Sequence, residues 1–284
     1  MPPSAPVYPK SGKPVFADGR TLVMGILNVT PDSFSDGGRY GTVSAAVAHA
    51  CEMDVEGADI IDLGAESTRP GSLPVPAEEQ LRRILPVLEA LRSLTDKPIS
   101  IDTTSACVAR KALDAGAAMI NDISALRHDP AMAVLAAERG VPVVLMHMQG
   151  LPLDMQHHPA YTDVTAEVAA FLEERRAFAV RAGIRPEQVI LDPGFGFGKT
   201  VEHNLELFAH LRSLARMGPL LVGVSRKSFI GATLDLPVDE RLEGSLALAT
   251  LATAAGARIL RVHDVRETVR TVRMTEAVLR HTAH

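Results

Sequence analysis

The 284-residue sequence contains no tryptophan, only 4% aromatic residues and two cysteines, Cys51 and Cys107. The cysteines lie far apart and in no spacing typical of a metal site. This cysteine usage indicates a reducing compartment and excludes a disulfide framework as the organising feature of the fold.

Positive charge is also scarce. Lysine and arginine total 29 against 34 aspartate and glutamate residues, which gives a formal net charge of −5. Nucleic-acid-binding proteins usually carry a basic surplus, so this balance argues against a nucleic acid partner. Small anionic substrates remain compatible with it, because a local pocket can oppose the overall charge.

Long apolar runs are missing as well. No run reaches the roughly 18 residues that suggest a membrane span. The first residues, MPPSAPVYPKSGKPVF, are rich in proline and lack the apolar core of a signal peptide. We therefore predict a cytoplasmic protein that does not insert into a membrane.

Eight short apolar runs alternate with longer segments of helical period. The runs are TLVMGILNV from Thr21, ADIIDLG from Ala58, KPISID from Lys97, AAMINDIS from Ala117, VPVVLMHM from Val141, QVILDPG from Gln188, PLLVGVS from Pro219 and ARILRVHD from Ala257. They are apolar on both faces, as buried parallel strands are. Eight strand–helix units in about 250 residues predict an α/β fold, the TIM (β/α)8 barrel. A doubly wound open sheet is the alternative.

No linker or low-complexity segment divides the chain, so residues 1–284 are predicted to form a single domain, with 1–15 as an N-terminal extension. Two helices have readable boundaries. Pro86 interrupts an apolar stripe from Leu81 to Leu91, which predicts a kink or a late start for that helix. A later helix is predicted to begin at Asp239, a good N-cap residue, and to end at Gly256.

Polar side chains follow nearly every predicted strand. They are Asn28, Asp102, Asn121, Asp122, His147, Asp192, Arg261 and His263. In a TIM barrel the working residues lie at the carboxyl ends of the strands, so these side chains are expected to share one rim. Four of them also have a structural interpretation: Asp102 fits a helix cap, Asn121 and Asp122 fit turn hydrogen bonds, and His147 fits a satisfied core histidine.

The stretch DPGFGFGKT, from Asp192 to Thr200, resembles a phosphate-binding loop but does not fit one. A Walker A motif needs a glycine where Pro193 stands, and the glycine spacing also differs from the dinucleotide fingerprint. The glycines are instead interpreted as letting the backbone pass close to a ring face, and Lys199 as a solvated loop lysine. The acceptors Asp102, Asn121 and Asp192 suit a flat heterocycle rich in N–H groups.

Taken together, the strand-end motifs resemble those of the dihydropteroate synthase family from about Thr21 to about Arg270. The stretches that carry the resemblance are GILNVTPDSFSDGG, GADIIDLGAESTRPG, ISIDTT, INDIS, LMHMQG, ILDPGFGFGK, GVSRKSFIG and RVHDV. Eight motifs in order are far more specific than any one of them.

The resemblance implies a homodimeric TIM barrel that joins 6-hydroxymethyl-7,8-dihydropterin diphosphate to 4-aminobenzoate in folate biosynthesis, with Mg²⁺, and that sulfonamides inhibit. It implies pterin contacts from Asp102, Asn121, Met146, Asp192, Phe195, Gly223, Lys227 and Arg261. It implies diphosphate contacts from Asn28, Arg261 and His263, with Asn28 as metal ligand. It implies an aminobenzoate pocket of Phe34, Thr68, Arg69, Pro70, Lys227 and Ser228. Catalytic roles fall on Asp102, Lys227, Arg261 and Asp32, and two long loops, Asn28–Tyr40 and Gly64–Ser72, are expected to act as lids.

Two alternatives remain, one a related enzyme and the other a protein without catalytic activity. A pterin-dependent methyltransferase on the same barrel would share the pterin acids but should lack the SRKS and STRPG features, and both are present. A catalytically silent pterin-binding scaffold would be favoured by loss of Lys227, Asp102 or the first loop, and all three are retained.

Overall fold

The computed structural model describes residues 19–30, 38–66 and 71–282. In these ranges the strands are β1 (Leu22–Asn28), β2 (Ile60–Gly64), β3 (Ile99–Asp102), β4 (Met119–Asp122), β5 (Val143–Met146), β6 (Val189–Asp192), β7 (Leu221–Val222) and β8 (Ile259–Val262). The helices are α1 (Gly38–Glu56), α2 (Ala77–Leu91), α3 (Ala106–Asp114), α4 (Ala131–Arg139), α5 (Val164–Arg181), α6 (Val201–Ala209), α7 (Leu211–Ala215), α8 (Ser228–Leu234), α9 (Leu242–Ala255) and α10 (Val265–Thr282).

The strands are parallel and pair in the order β6-β5-β4-β3-β2-β1-β8-β7. A further parallel bridge between Leu191 of β6 and Leu220, just before β7, joins the two ends of the sheet. The sheet therefore closes on itself, and at least one helix separates each strand from the next. This confirms the TIM barrel and shows that the doubly wound alternative was wrong.

Alternate residues along each strand face the inside of the barrel. A separate cluster of buried apolar residues fills the interior: Leu22, Met24, Ile60, Met119, Val144, Ile190, Leu221 and Ile259. Two residues further along their strands, on the same face, come Asp62, Asn121, Asp192 and Arg261. The apolar layer thus fills the barrel interior directly below the polar residues at the carboxyl ends of the strands.

The outer core lies between the strands and the surrounding helices, and α2 illustrates how it forms. Ile84, Val87, Leu88 and Leu91 are all buried on its inner face. Burial of such side chains contributes about 1.5–3 kcal/mol each, which together exceeds the roughly 3 kcal/mol cost of proline inside a helix. The helix accordingly begins at Ala77 and continues past Pro86, so of the two expectations, a kink or a late start, the late start was wrong.

The start of α9 also differs from the prediction. Asp239 lies in a short 3-10 turn, Val238–Glu240, and the helix begins only at Leu242. The Arg241 guanidinium donates to the Leu236 and Arg226 carbonyls, and these bonds fix the chain just before the first residue of α9. The predicted end is confirmed, because Gly256 adopts φ +98° and its N–H closes the last turn. None of the helices in the described ranges combines the length and apolar character that crossing a bilayer requires.

Candidate active site

A cavity of about 580 Å³ opens at the carboxyl ends of the strands. Eleven of the predicted site residues line it: Asn28, Asp102, Asn121, Met146, Asp192, Phe195, Gly223, Lys227, Ser228, Arg261 and His263. They come from seven of the eight strands or the loops that follow them. Residues distant in sequence therefore converge on a single concave surface.

Five other predicted site residues lie outside the described residues. In the sequence, Asp32 and Phe34 fall between β1 and α1, and Thr68, Arg69 and Pro70 fall between β2 and α2. Their roles stay predictions, as does the expectation that these two loops act as lids.

The strand register explains how polar ends can gather without clashing. Asn28 pairs with Gly64, Gly64 with Asp102, and Asp102 with Asn121. A Cβ at position 64 would lie 3.3 Å from Asn28 Oδ1 and 3.4 Å from Asp102 Cβ. Because Gly64 has no side chain, its larger neighbours occupy that space at the rim.

Arg261 forms the centre of a buried ionic network. Its Nε donates to Asp62 Oδ2 at 2.7 Å and its terminal Nη2 donates to Asp102 Oδ2 at 2.8 Å. Asn121 Nδ2 also donates to Asp62 Oδ2, at 3.1 Å. The network fixes the guanidinium across the cavity wall beside two of the predicted ring-binding groups.

Asp62 is the site residue that the sequence reasoning missed. It is completely buried, and its Oδ1 has no hydrogen-bond partner among the described residues. A signal was available, because Asp62 interrupts the apolar run IIDLG. It also stands two residues after the interior-facing Ile60, as Asp192 stands after Ile190.

Both predicted ring-binding acids hold their protons more strongly than ordinary aspartates. Burial raises the pKa of Asp102 to about 7, against the opposing attraction of Arg261. Burial also raises the pKa of Asp192 to about 6, although the Gly194 N–H and the cations Lys227, Arg261 and Lys199 favour its ionised form. Shifted carboxylates in a concave cavity are typical of a functional site.

His263, an expected contact of the diphosphate, carries no positive charge at neutral pH. Burial, followed by the nearby charge of Arg261, lowers the pKa of His263 to about 4. The imidazole is therefore neutral at pH 7, with Nδ1 3.2 Å from the Ser225 hydroxyl. Among the predicted site residues that line the cavity, Arg261 and Lys227 are the cations.

The glycines after β6 mainly allow a close approach between two backbone segments, and less a close approach to a ligand ring. Gly194 and Gly198 have φ near +60°, and a Cβ on them would lie 1.9 Å from the His147 carbonyl oxygen and 2.3 Å from that of Gln149. The loop after β5 therefore packs directly on this segment. Gly194 and Gly196 do line the cavity, and the Gly194 N–H donates to Asp192 Oδ1 at 2.7 Å.

Two strand-end groups, Asp122 and His147, and the loop residue Lys199 do not line the cavity. Asp122 accepts from Ser124 and Leu126, as its turn interpretation predicts. His147 is buried and bonded to Lys199, as a core histidine would be. Lys199 itself is only 3% exposed, so its interpretation as a solvated lysine was wrong.

The comparisons with known proteins agree with this geometry. The sequence model of a family described as "Pterin binding enzyme" matches residues 24–263. The chain is 51% identical over 272 residues to the dihydropteroate synthase of Escherichia coli, covering 93% of this chain and 96% of that protein.

Two solved structures are similar in three dimensions. A Xanthomonas albilineans dihydropteroate synthase with 4-aminobenzoic acid has a TM-score of 0.86 and 50% identity, covering 92% of this chain and 93% of that one. A Yersinia pestis dihydropteroate synthase in complex with a sulfonamide drug has a TM-score of 0.86 and 48% identity, covering 91% and 94%.

Fold, cavity and sequence model together define a pterin-binding TIM-barrel enzyme. At about half identity over nearly its whole length, the chain belongs to the dihydropteroate synthase family, a family of transferases in folate biosynthesis.

Proposed function

We propose that the barrel mouth carries out the reaction of this family. The enzyme joins 6-hydroxymethyl-7,8-dihydropterin diphosphate to 4-aminobenzoate and releases 7,8-dihydropteroate and pyrophosphate. The observation that carries the proposal is the convergence of eleven predicted substrate contacts on one cavity.

The ring is assigned to the floor of the cavity. A pterin presents several N–H groups in one plane, and Asp192, Asp102 and Asn121 supply acceptors around that plane. Met146 and Phe195 add apolar surface, and the Arg261 guanidinium can cover a ring face through its planar group. Burial makes each of these hydrogen bonds worth more than it would be in water.

The diphosphate is assigned to the rim formed by Asn28, Arg261 and His263. Pyrophosphate leaves as an anion, and Arg261 lies where it can neutralise part of that charge. His263 is neutral, so it can donate one N–H to the diphosphate without repelling the nearby Arg261.

Mg²⁺ fits this rim as an ion held mostly by the substrate. Among the described residues no group of three or more His, Cys, Asp or Glu side chains forms a metal site, and Asn28 offers one amide oxygen. Magnesium usually binds through one or two protein oxygens, substrate phosphates and water. Bound there beside Asn28, it would add positive charge next to the leaving group.

In the chemical step the bond between the pterin methylene and the diphosphate oxygen breaks, and its electron pair leaves with pyrophosphate. The positive charge left on the methylene spreads into the ring, where the carboxylates of Asp102 and Asp192 stabilise it. The aryl amine then forms the new C–N bond and loses a proton. That amine is a weak base, so its placement matters more than its activation.

The aminobenzoate pocket is assigned to Lys227 and Ser228 together with Phe34, Thr68, Arg69 and Pro70. Sulfonamides share the outline of aminobenzoate, so we assign their inhibition to the same pocket. The sulfonamide-bound Yersinia pestis relative supports this assignment.

Lys227 lies between the two substrate regions. Its Nζ is 4.2 Å from the centre of the Phe197 ring, and its stem packs against Gly196. We expect Lys227→Met to raise the KM of both substrates about tenfold or more, since hydrogen bonds to a charged group contribute about 1.5–3 kcal/mol each. Steady-state kinetics with each substrate varied in turn measures this.

The control for Lys227→Met is Lys111→Met, which removes a lysine from the exposed side of α3. It should leave both KM values unchanged. If Lys227→Met raises the KM of one substrate alone, Lys227 does not contact the other substrate.

The proposed reaction is tested by incubating the protein with the pterin diphosphate, aminobenzoate and Mg²⁺ and measuring pyrophosphate. Release that requires aminobenzoate supports the proposal. Methyl transfer from methyltetrahydrofolate without pyrophosphate release would favour the methyltransferase, and tight pterin binding without any product would favour the silent scaffold.

We also propose a cytoplasmic homodimer. Leu251 on α9 and Met274 and Val278 on the adjacent α10 are 50–65% exposed, an apolar surface that a second copy could cover. Sedimentation at several protein concentrations, with Met274→Glu as the disrupting variant, tests the dimer.

The proposed compartment rests on the cysteines. Cys51 and Cys107 are both free thiols, which suits a reducing compartment.

A further inference from the structure

Lys199 is a buried lysine that the reaction scheme does not use. Its Nζ lies 2.9 Å from His147 Nδ1, 2.9 Å from the Gly194 carbonyl oxygen and 3.1 Å from the Phe197 carbonyl oxygen. An ammonium has three N–H donors and a neutral amine only two, so three acceptors match the charged form. Burial lowers the pKa of His147 to about 2, which leaves its ring neutral, and Nδ1 accepts when the ring proton is on Nε2.

The two carbonyls belong to the segment that forms the back of the cavity. The peptide of Gly194 bonds to Lys199 on its carbonyl side, while the Gly194 N–H donates to Asp192. Phe197, whose carbonyl is the other acceptor, places its ring beneath the Lys227 ammonium. Lys199 is thus connected, through the backbone of Gly194 and Phe197, to Asp192 and Lys227, two residues assigned to the pterin.

Other side chains bond to further backbone groups of this segment. Asn204 accepts from the Gly196 N–H, Gln156 donates to the Gly196 carbonyl, and the Tyr161 hydroxyl donates to the Gly198 carbonyl at 2.8 Å. All of these side chains are uncharged. Among the described side chains that hydrogen-bond to the Gly194–Gly198 backbone, Lys199 is the cation.

We propose that Lys199 is a positioning residue for pterin binding: its ammonium fixes the Gly194–Gly198 segment and adds to the positive charge by which Lys227 and Arg261 favour the ionised form of Asp192. The inference rests on the proposed pterin site. It deepens that proposal by assigning a role to a side chain that does not line the cavity.

The electrostatics support this role. Asp192 faces Lys227, Arg261 and Lys199, and all three lower its pKa against the larger effect of burial. Lys199 faces Asp192, which favours its charged form, and Lys227, which opposes it. Burial is the largest influence and lowers the pKa of Lys199 to about 7. At pH 6 Lys199 is therefore charged, in the range where Asp192 titrates.

The test is the pH dependence of pterin binding in Lys199→Met. Calorimetry with 6-hydroxymethyl-7,8-dihydropterin, which carries no titrating phosphate, gives the Kd from pH 5 to 8.5. Affinity falls as Asp192 gains a proton. Without the neighbouring cation the pKa of Asp192 rises, so we expect the midpoint of this loss to move up by about half a pH unit or more.

Tyr161→Phe is the matched control, because it removes a hydrogen bond to the same segment without changing its charge. It should weaken binding at every pH without moving the midpoint, and Lys199→Arg should keep the wild-type midpoint. Asp102 titrates in the same range in every variant, so the comparison among variants isolates Lys199.

An unmoved midpoint in Lys199→Met, or an equal shift in Tyr161→Phe, would overturn the positioning role while wild-type binding leaves the proposed function intact. A wild-type protein that does not bind the pterin would overturn both. If Lys199→Met does not fold, NMR of 13C-labelled lysine in the wild type decides the question. One lysine should titrate near pH 7 and respond to the pterin, and the inference fails if none does.

Discussion

Arg261→Met is expected to lower both the stability and the activity of the enzyme more than any other single change at the site. It leaves the completely buried Asp62 and the nearly buried Asp102 without their shared cation. Removing one partner from a buried ion pair costs about 3–5 kcal/mol. Loss of a group that neutralises the leaving diphosphate lowers kcat by about 100- to 1000-fold. Urea unfolding and the pyrophosphate assay measure the two effects separately.

Two further variants separate stability from catalysis. In Asp62→Asn/Arg261→Met the orphaned charge on Asp62 is gone, so part of the lost unfolding free energy should return while kcat stays low. Arg139→Met, which removes a surface pair with Asp114, should change neither quantity noticeably. If the double variant recovers no stability, Asp62 is not the carboxylate that Arg261 compensates.

Asp192→Asn is expected to weaken pterin binding by about 100-fold or more while the fold is retained. The asparagine oxygen can still accept the Gly194 N–H, so the local backbone keeps its partner. The ring loses a charged acceptor, and two hydrogen bonds to a charged group contribute about 3 kcal/mol or more. Calorimetry with the pterin gives the Kd, and thermal unfolding checks the fold.

Asp122→Asn is the matched control for Asp192→Asn. Asp122 is also a buried acid at the end of a strand, but its oxygens bond to Ser124 and Leu126 and it does not line the cavity. This change should lower stability without altering the pterin Kd. Unchanged affinity in Asp192→Asn, or equal losses in both variants, would contradict the assignment of Asp192 to the ring.

The sequence predicted the barrel because its pattern is local. Each apolar run marks a buried strand, and the polar residue at its end marks the rim, whichever strands become its neighbours. The same logic placed Asn28, Asp102, Asn121 and Asp192 on one cavity. Helix boundaries were less predictable, because a favourable cap at Asp239 competes with the packing of the chain around Arg241.

The amino-acid sequence by itself determined the fold class, the family and eleven of the residues that line the mouth of the barrel, since periodicity and motifs are properties of short segments. Only the tertiary structure decided how those residues are paired and charged. Asp62 meets Arg261 across 199 positions of the chain, and Lys199 meets His147 across 52. Burial and partners far along the chain set whether such a group is solvated or enclosed, and no local pattern records them.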